Sequence, residues 1–113
     1  LLASVQAMSA GDVLLAISYT GERREINLAA QEAVRVGADV LAFTGFTPNT
    51  LQQCATHCLY TVAEEQSTRS AAISSTTAQL ALTDLLFMAL VQNDPERASS
   101  HIRHSEALVK KLI

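Results

Sequence analysis

A five-residue apolar run, Val13-Leu14-Leu15-Ala16-Ile17, passes directly into Ser18-Tyr19-Thr20-Gly21 and then into a helix-patterned segment. The run is short, continuous and aliphatic, which is the signature of a strand buried on both faces of a parallel sheet. From about Glu22 to Val36, apolar residues recur at Ile26, Ala29, Ala30, Ala33 and Val34, the three-to-four spacing of an amphipathic helix. Gly37 stands where a helix C-cap belongs. Two hydroxyls and a glycine therefore sit between the carboxyl end of a strand and the amino end of a helix. Free backbone N–H groups and the positive end of the helix dipole converge there, a setting suited to phosphate. Ligands of open α/β sheets bind along this edge. The local pattern points to a binder of phosphorylated small molecules. It also fits an ordinary strand-to-helix turn with Thr20 as the N-cap.

The rest of the chain repeats the alternation. Residues 1–9 read as a helix, Gly11-Asp12 as a turn, and Val40–Phe43 as a second strand. Pro48 opens a short helix through Thr56, and Cys58–Val62 forms a third strand. A polar loop, 63–68, leads into a long helix over 69–92. Asn93-Asp94-Pro95 breaks it, with Asp94 as N-cap and Pro95 at the first position of a last helix reaching Leu112. Strand–helix alternation of this kind implies a parallel sheet with helices on both faces, an α/β chain. With 113 residues it is a single domain at most. Opening on a helix at Leu1 is unusual for an α/β domain, and further sequence upstream is expected.

Composition narrows the partners. Net charge is −3, which argues against this segment gripping nucleic acid by itself. No apolar run reaches the ~20 residues of a membrane span. Cys54 and Cys58 are expected to be reduced thiols in a cytoplasmic protein. Within the 69–92 helix, Ala78–Val91 is apolar on nearly every side, interrupted by Gln79, Thr83 and Asp84. Such a helix needs cover all round, and a second subunit pressed on Leu82, Leu86 and Leu90 would supply it.

Other clusters divide between chemistry and ordinary structure. Arg23 and Arg24 oppose the helix dipole unless an anion is bound, or else are solvated beside Glu22 and Glu25. Glu64 and Glu65 follow the third strand on the ligand edge, placed to meet sugar hydroxyls or to act as a base, or simply exposed. Cys54, His57 and Cys58 lack a fourth ligand and the paired spacing of a zinc site, so no metal is expected. His101 and His104 share a face of the last helix without a partnering acid. Ser18 lies outside any Gly-x-Ser-x-Gly elbow, and no dinucleotide or Walker glycine pattern is present, so no cofactor or catalytic residue is assigned.

With these residues in place, the chain resembles the sugar isomerase (SIS) domain, most closely the C-terminal effector domain of RpiR/MurR-type bacterial transcriptional regulators. The resemblance runs through Gly11–Ile26, Gly37–Thr44, Arg69–Ser75, Ala78-Gln79-Leu80 and Thr83–Phe87. The last stretch is the most specific, because SIS isomerases do not usually carry it in this form. The resemblance implies a three-layer αβα sandwich with a parallel, flavodoxin-like sheet, lacking its first strand and the Gly-x-Gly-x-Ser-like turn that follows it. It implies that Ser18, Tyr19, Thr20 and Gly21 hold the phosphate of a sugar, and that Glu65 lies near the sugar. The family often has a Thr or Ser two residues after the glycine; here Arg23 stands there, a cation in place of a hydroxyl. A helix-turn-helix domain is expected upstream, with DNA binding residing in it. The implied function is an effector-binding and dimerising module that senses a phosphorylated sugar. The alternatives are a sugar-phosphate isomerase, with Glu65 and His57 as acid–base candidates, and a structural dimerisation domain.

Overall fold

The computed structural model describes residues 1–62 and 69–112. In chain order it contains α1 (Leu2–Gln6), β1 (Val13–Ile17), α2 (Arg24–Arg35), β2 (Asp39–Gly45), α3 (Thr50–Cys54), β3 (His57–Thr61), α4 (Arg69–Asn93) and α5 (Pro95–Leu112). The three strands form one parallel sheet in the order β1-β2-β3. Each strand-helix-strand passage feeds the next strand beside the last, so the carboxyl ends of all three share one edge. The α/β class and parallel sheet expected from the sequence are present, with helices flanking the sheet.

The chain divides into two compact units, Leu1–Gln79 and Leu80–Ile113. In the first, one face of the sheet is filled by small side chains. Ala16, Val40 and Ala42 from the strands meet Ala29, Ala30 and Ala33 of α2 and Leu51 of α3, and Val5 of α1 joins the same cluster. Alanine on both sides lets α2 lie close to the sheet, and this is how a chain with so few aromatics closes a dense core. Register explains the choice of residues: Leu14 pairs with Val40 and Ala16 with Ala42, so these side chains share a face. Opposite to them, Val13, Leu15 and Ile17 remain exposed, while Phe43 is fully buried.

Most expected boundaries shift by a residue or two. The second strand runs on to Gly45, and the third starts at His57 and ends at Thr61. Two starts need correction. The short third helix begins at Thr50 and is capped by Asn49, whose Oδ1 accepts from Gln52 N–H at 3.0 Å, so Pro48 lies outside it. Helix α2 begins at Arg24 and not at Glu22, because Gly21 sits at φ +68° and Arg23 at φ −71°, ψ 120°, an extended N-cap. At its other end Gly37 N–H donates to Val34 O and Ala38 N–H to Ala33 O, the paired bonds of a Schellman close.

In the second unit, Asp94 receives Arg97 N–H on Oδ1 at 3.2 Å and Pro95 opens α5, as the sequence indicates. No residue of α5 is buried. Within α4, Leu82 and Leu86 are half-buried, while Leu80, Leu85, Phe87, Met88 and Leu90 are exposed in the single chain. No helix among the described residues is long and apolar enough to cross a membrane.

Leu51 is the one large residue that α3 contributes to the core, and it is fully buried. Leu51→Ala should cost about 2–5 kcal/mol of unfolding free energy, read from urea denaturation. A loss below about 1 kcal/mol would show that α3 is not anchored through this side chain.

Candidate functional site

The carboxyl edge of the sheet gathers three segments: the turn after β1, the loop after β2 with the start of α3, and the end of β3. The turn is closed upon itself. Gly21 N–H lies 3.2 Å from both the carbonyl oxygen and Oγ of Ser18. Glu22 N–H lies 3.3 Å from Thr20 Oγ1. Thr20 is thus an acceptor within the turn and not the N-cap of α2; that position belongs to Arg23, and no side chain caps it. Each hydroxyl accepts a backbone N–H, which leaves its own proton to be donated elsewhere. Ser18 is buried and Thr20 exposed, so the two differ in their access to a ligand.

Neighbouring elements fix the turn from three sides. Ser18 N–H extends the β1–β2 ladder to Phe43 O at 2.9 Å, and Gly45 N–H reaches Tyr19 O at 2.8 Å. Gly21 O accepts from Asn27 Nδ2 on α2 and from Leu51 N–H on α3, each at 3.1 Å. A Cβ on Gly21 would lie 2.0 Å from Asn49 Oδ1. Glycine is therefore required there twice over, by its positive φ and by the side chain occupying the space a Cβ needs.

The loop after β2 is braced by one side chain. Gln52 Nε2 lies 3.1 Å from Thr44 Oγ1, Gly45 O and Thr47 O, and Asn49 Nδ2 donates to Thr47 O at 3.0 Å. From this loop Phe46 projects into solvent, 72% exposed, and meets Tyr60 of β3 edge to face at a centroid distance of 5.7 Å.

Of the expected site residues, Ser18, Tyr19, Thr20, Gly21 and Arg23 are consecutive or nearly so on this edge. Glu65 lies outside the described residues. Arg23 is exposed, and among the described residues neither it nor Arg24 has a carboxylate partner; the ion pair is Arg35 with Glu32. Glu22, a candidate partner for Arg23, turns elsewhere. Thr50 donates to it through both Oγ1 and N–H, and these bonds hold the Glu22 carboxyl below its ordinary value.

Sequence reasoning missed Asn27, Thr44, Asn49, Thr50 and Gln52. A signal existed for one pair: Asn followed by Gln three residues later is a helix-start signature, and it outranks the preceding proline. Among the described residues no three His, Cys, Asp or Glu side chains, Cys54, His57 and Cys58 included, are grouped to hold an ion. Both cysteines are free, and burial pushes the Cys54 thiol up. His101 is exposed on α5, where its Nε2 lies 3.4 Å from Arg97 Nε.

Comparison with known proteins places this geometry in context. The SIS domain family model matches residues 2–89. The chain is 70% identical over all 113 residues to an uncharacterized HTH-type transcriptional regulator, YfhH, of Escherichia coli (strain K12), and spans 40% of its length. Among solved structures, the Vibrio vulnificus NanR protein complexed with ManNAc-6P superposes with a TM-score of 0.83 at 26% identity, over 99% of this chain and 42% of that one. A hypothetical protein of known structure, 18% identical, covers 76% of this chain and 50% of its own with a TM-score of 0.64, a likeness of fold alone.

Gly11 and Gly21 offer a controlled comparison, since both have positive φ but only Gly21 faces a neighbour. Gly11→Ala should cost about 1–2 kcal/mol, the strain of a left-handed alanine. Gly21→Ala should add roughly 1–3 kcal/mol of overpacking against Asn49. Equal losses for the two in denaturant titrations would show that Asn49 yields freely.

Proposed function

The chain belongs to the SIS domain family, and from this we propose that it is the effector-binding and dimerising module of a bacterial transcriptional regulator that senses a phosphorylated sugar. Ser18, Tyr19, Thr20, Gly21 and Arg23 hold the phosphate, and Glu65 meets the sugar. The observation that carries the reading is the turn itself. Ser18 Oγ and Thr20 Oγ1 each accept a backbone N–H, which leaves each hydroxyl proton for another acceptor, beside a helix N-terminus that no side chain caps. Arg23, without a carboxylate partner among the described residues, adds a cation at the same place. It substitutes for the hydroxyl that the family often carries two residues after the glycine.

The relatives support the rest. One is named as a helix-turn-helix regulator, and a structural neighbour is a complex with a phosphorylated amino sugar. The chain spans about two-fifths of each, so DNA recognition is assigned to sequence outside it. The acidic balance of this segment agrees with that division. The regulator acts in the cytoplasm, where its DNA and its phosphorylated effector are, and it has no isomerase turnover. Self-association runs through the apolar surface of α4.

Replacing Ser18 and Thr20 together with Ala removes two hydrogen bonds to a charged group, each worth roughly 1.5–3 kcal/mol. Calorimetry against a panel of sugar phosphates should show affinity falling at least about tenfold, with the apo melting temperature little changed. Unchanged affinity would place the pocket elsewhere. Aldose–ketose interconversion above background, lost on Glu65→Gln, would favour an isomerase instead.

Leu90 is 63% exposed in the single chain, so a charge there spares the monomer. Leu90→Asp should split the assembly in a sedimentation run, by burying an unpaired carboxylate at the interface. A native monomer for the unmodified protein would refute the dimer.

A further inference from the structure

We propose that Glu22 and Thr50 form a clamp that sets the phosphate-binding turn in its binding geometry before any ligand arrives. This rests on the reading of Ser18–Gly21 as the phosphate site. Glu22 directly follows the turn glycine. A carboxylate so close to a bound dianion is adverse unless its charge is drawn aside. Here both of its oxygens are turned to one residue 28 positions later: Oε1 accepts Thr50 N–H at 2.9 Å and Oε2 accepts Thr50 Oγ1–H at 2.7 Å. The carboxylate is thereby satisfied by the first residue of α3.

The clamp is one of three consecutive grips. Asn49 fills the space beside Gly21, Thr50 holds Glu22, and Leu51 N–H donates to Gly21 O. Asn49 and Leu51 are buried, whereas Glu22 is exposed. The grips of Asn49 and Leu51 belong to the packing of the edge. Water competes freely for Glu22, so that bond pair is dispensable for folding. Its effect adds to the hold on the Gly21–Glu22 peptide, whose carbonyl already accepts from Asn27 Nδ2 and Leu51 N–H and whose N–H is held by Thr20 Oγ1. Fixing that peptide keeps the Thr20 hydroxyl directed for donation, and it removes an ordering cost that a ligand would otherwise bear. Glu22 and Thr50 are thus positioning residues, acting on phosphate through Thr20.

Two charge-matched variants isolate the effect. Glu22→Gln and Glu22→Ala both remove the negative charge, but only Gln can accept Thr50 N–H and donate to Thr50 Oγ1. The probe is inorganic phosphate, followed by phosphorus NMR line broadening on the intact protein. The Gln variant should bind at least as well as the parent, and the Ala variant about three- to tenfold more weakly than the Gln variant. A second route cuts the clamp from the other side. Thr50→Pro deletes both donors at the first position of α3, where proline is tolerated, and Asn49 at φ −149°, ψ 170° already has the backbone a residue before proline adopts. It should weaken phosphate binding to a similar degree with little change in melting temperature. Equal affinities for the Gln and Ala variants, while the Ser18/Thr20 double Ala variant binds more weakly, would overturn the clamp and leave the site standing. Phosphate binding untouched by the Ser18/Thr20 replacement would overturn the site and the clamp together.

Discussion

The peptide of Gly21 is the point on which the sheet edge depends. Its N–H turns back to Ser18, its carbonyl is shared by Asn27 of α2 and Leu51 of α3, and the space beside its Cα belongs to Asn49. Two helices and one strand end are thus referred to a single residue. Buried backbone polar groups must be satisfied, and here that requirement joins α2, α3 and the end of β1 at one residue. The left-handed backbone at φ +68° reverses the chain in time for α2 to start at Arg24 and lie on the alanine-rich face of the sheet.

That face explains why so few large residues suffice. Ala29, Ala30 and Ala33 bury almost completely against Ala16, Val40 and Ala42. Dense packing comes from close approach of backbones rather than from side-chain volume. Close approach also leaves little slack between α2 and the sheet, and Asn27 of α2 is tied to the edge through Gly21 O. The polar bracing of the β2–α3 loop by Gln52 works in the same direction.

Much of this was legible in the residues. The strand at 13–17, the helix through Val34 and the Asp94-Pro95 start each rest on local chemistry, and each element is present. But Val13, Leu15, Ile17 and Val34 are exposed in the single chain, so β1 is not buried on both faces as its apolar run implies. The turn Ser18–Gly21 was legible because its residue types carry the geometry with them. The helix starts were less so. Thr20 has the composition of an N-cap, yet the positive φ one residue later defers the helix to Arg24. Pro48 likewise looked like a helix opener, but Asn49 takes the role because its side chain reaches Gln52 N–H. What could not be read was pairing across sequence distance. Nothing local ties Glu22 to Thr50 or Gly21 to Asn49, since those contacts exist only once β1 and β2 are in register. The glutamate assigned to the sugar, Glu65, rests on resemblance and lies outside the described residues.

On the proposed reading, a turn so fully braced has a consequence for signalling. A ligand shifts a two-state equilibrium only by its difference in affinity for the two states. A site that is pre-formed by bonds within one sheet edge has the same shape whichever way a dimer is arranged. Phosphate held there contributes affinity and almost no shift. The discrimination that moves the regulator must then come from groups that reach the ligand in one state only, at the sugar end and beyond the turn. The exposed apolar surface of α4, with Leu85, Phe87, Met88 and Leu90 uncovered in the single chain, is the kind of element whose packing has alternatives. On that reading anchoring and switching fall to different parts of the chain: a braced turn for the charge common to all sugar phosphates, and a helical surface whose partner decides what binding at the turn changes.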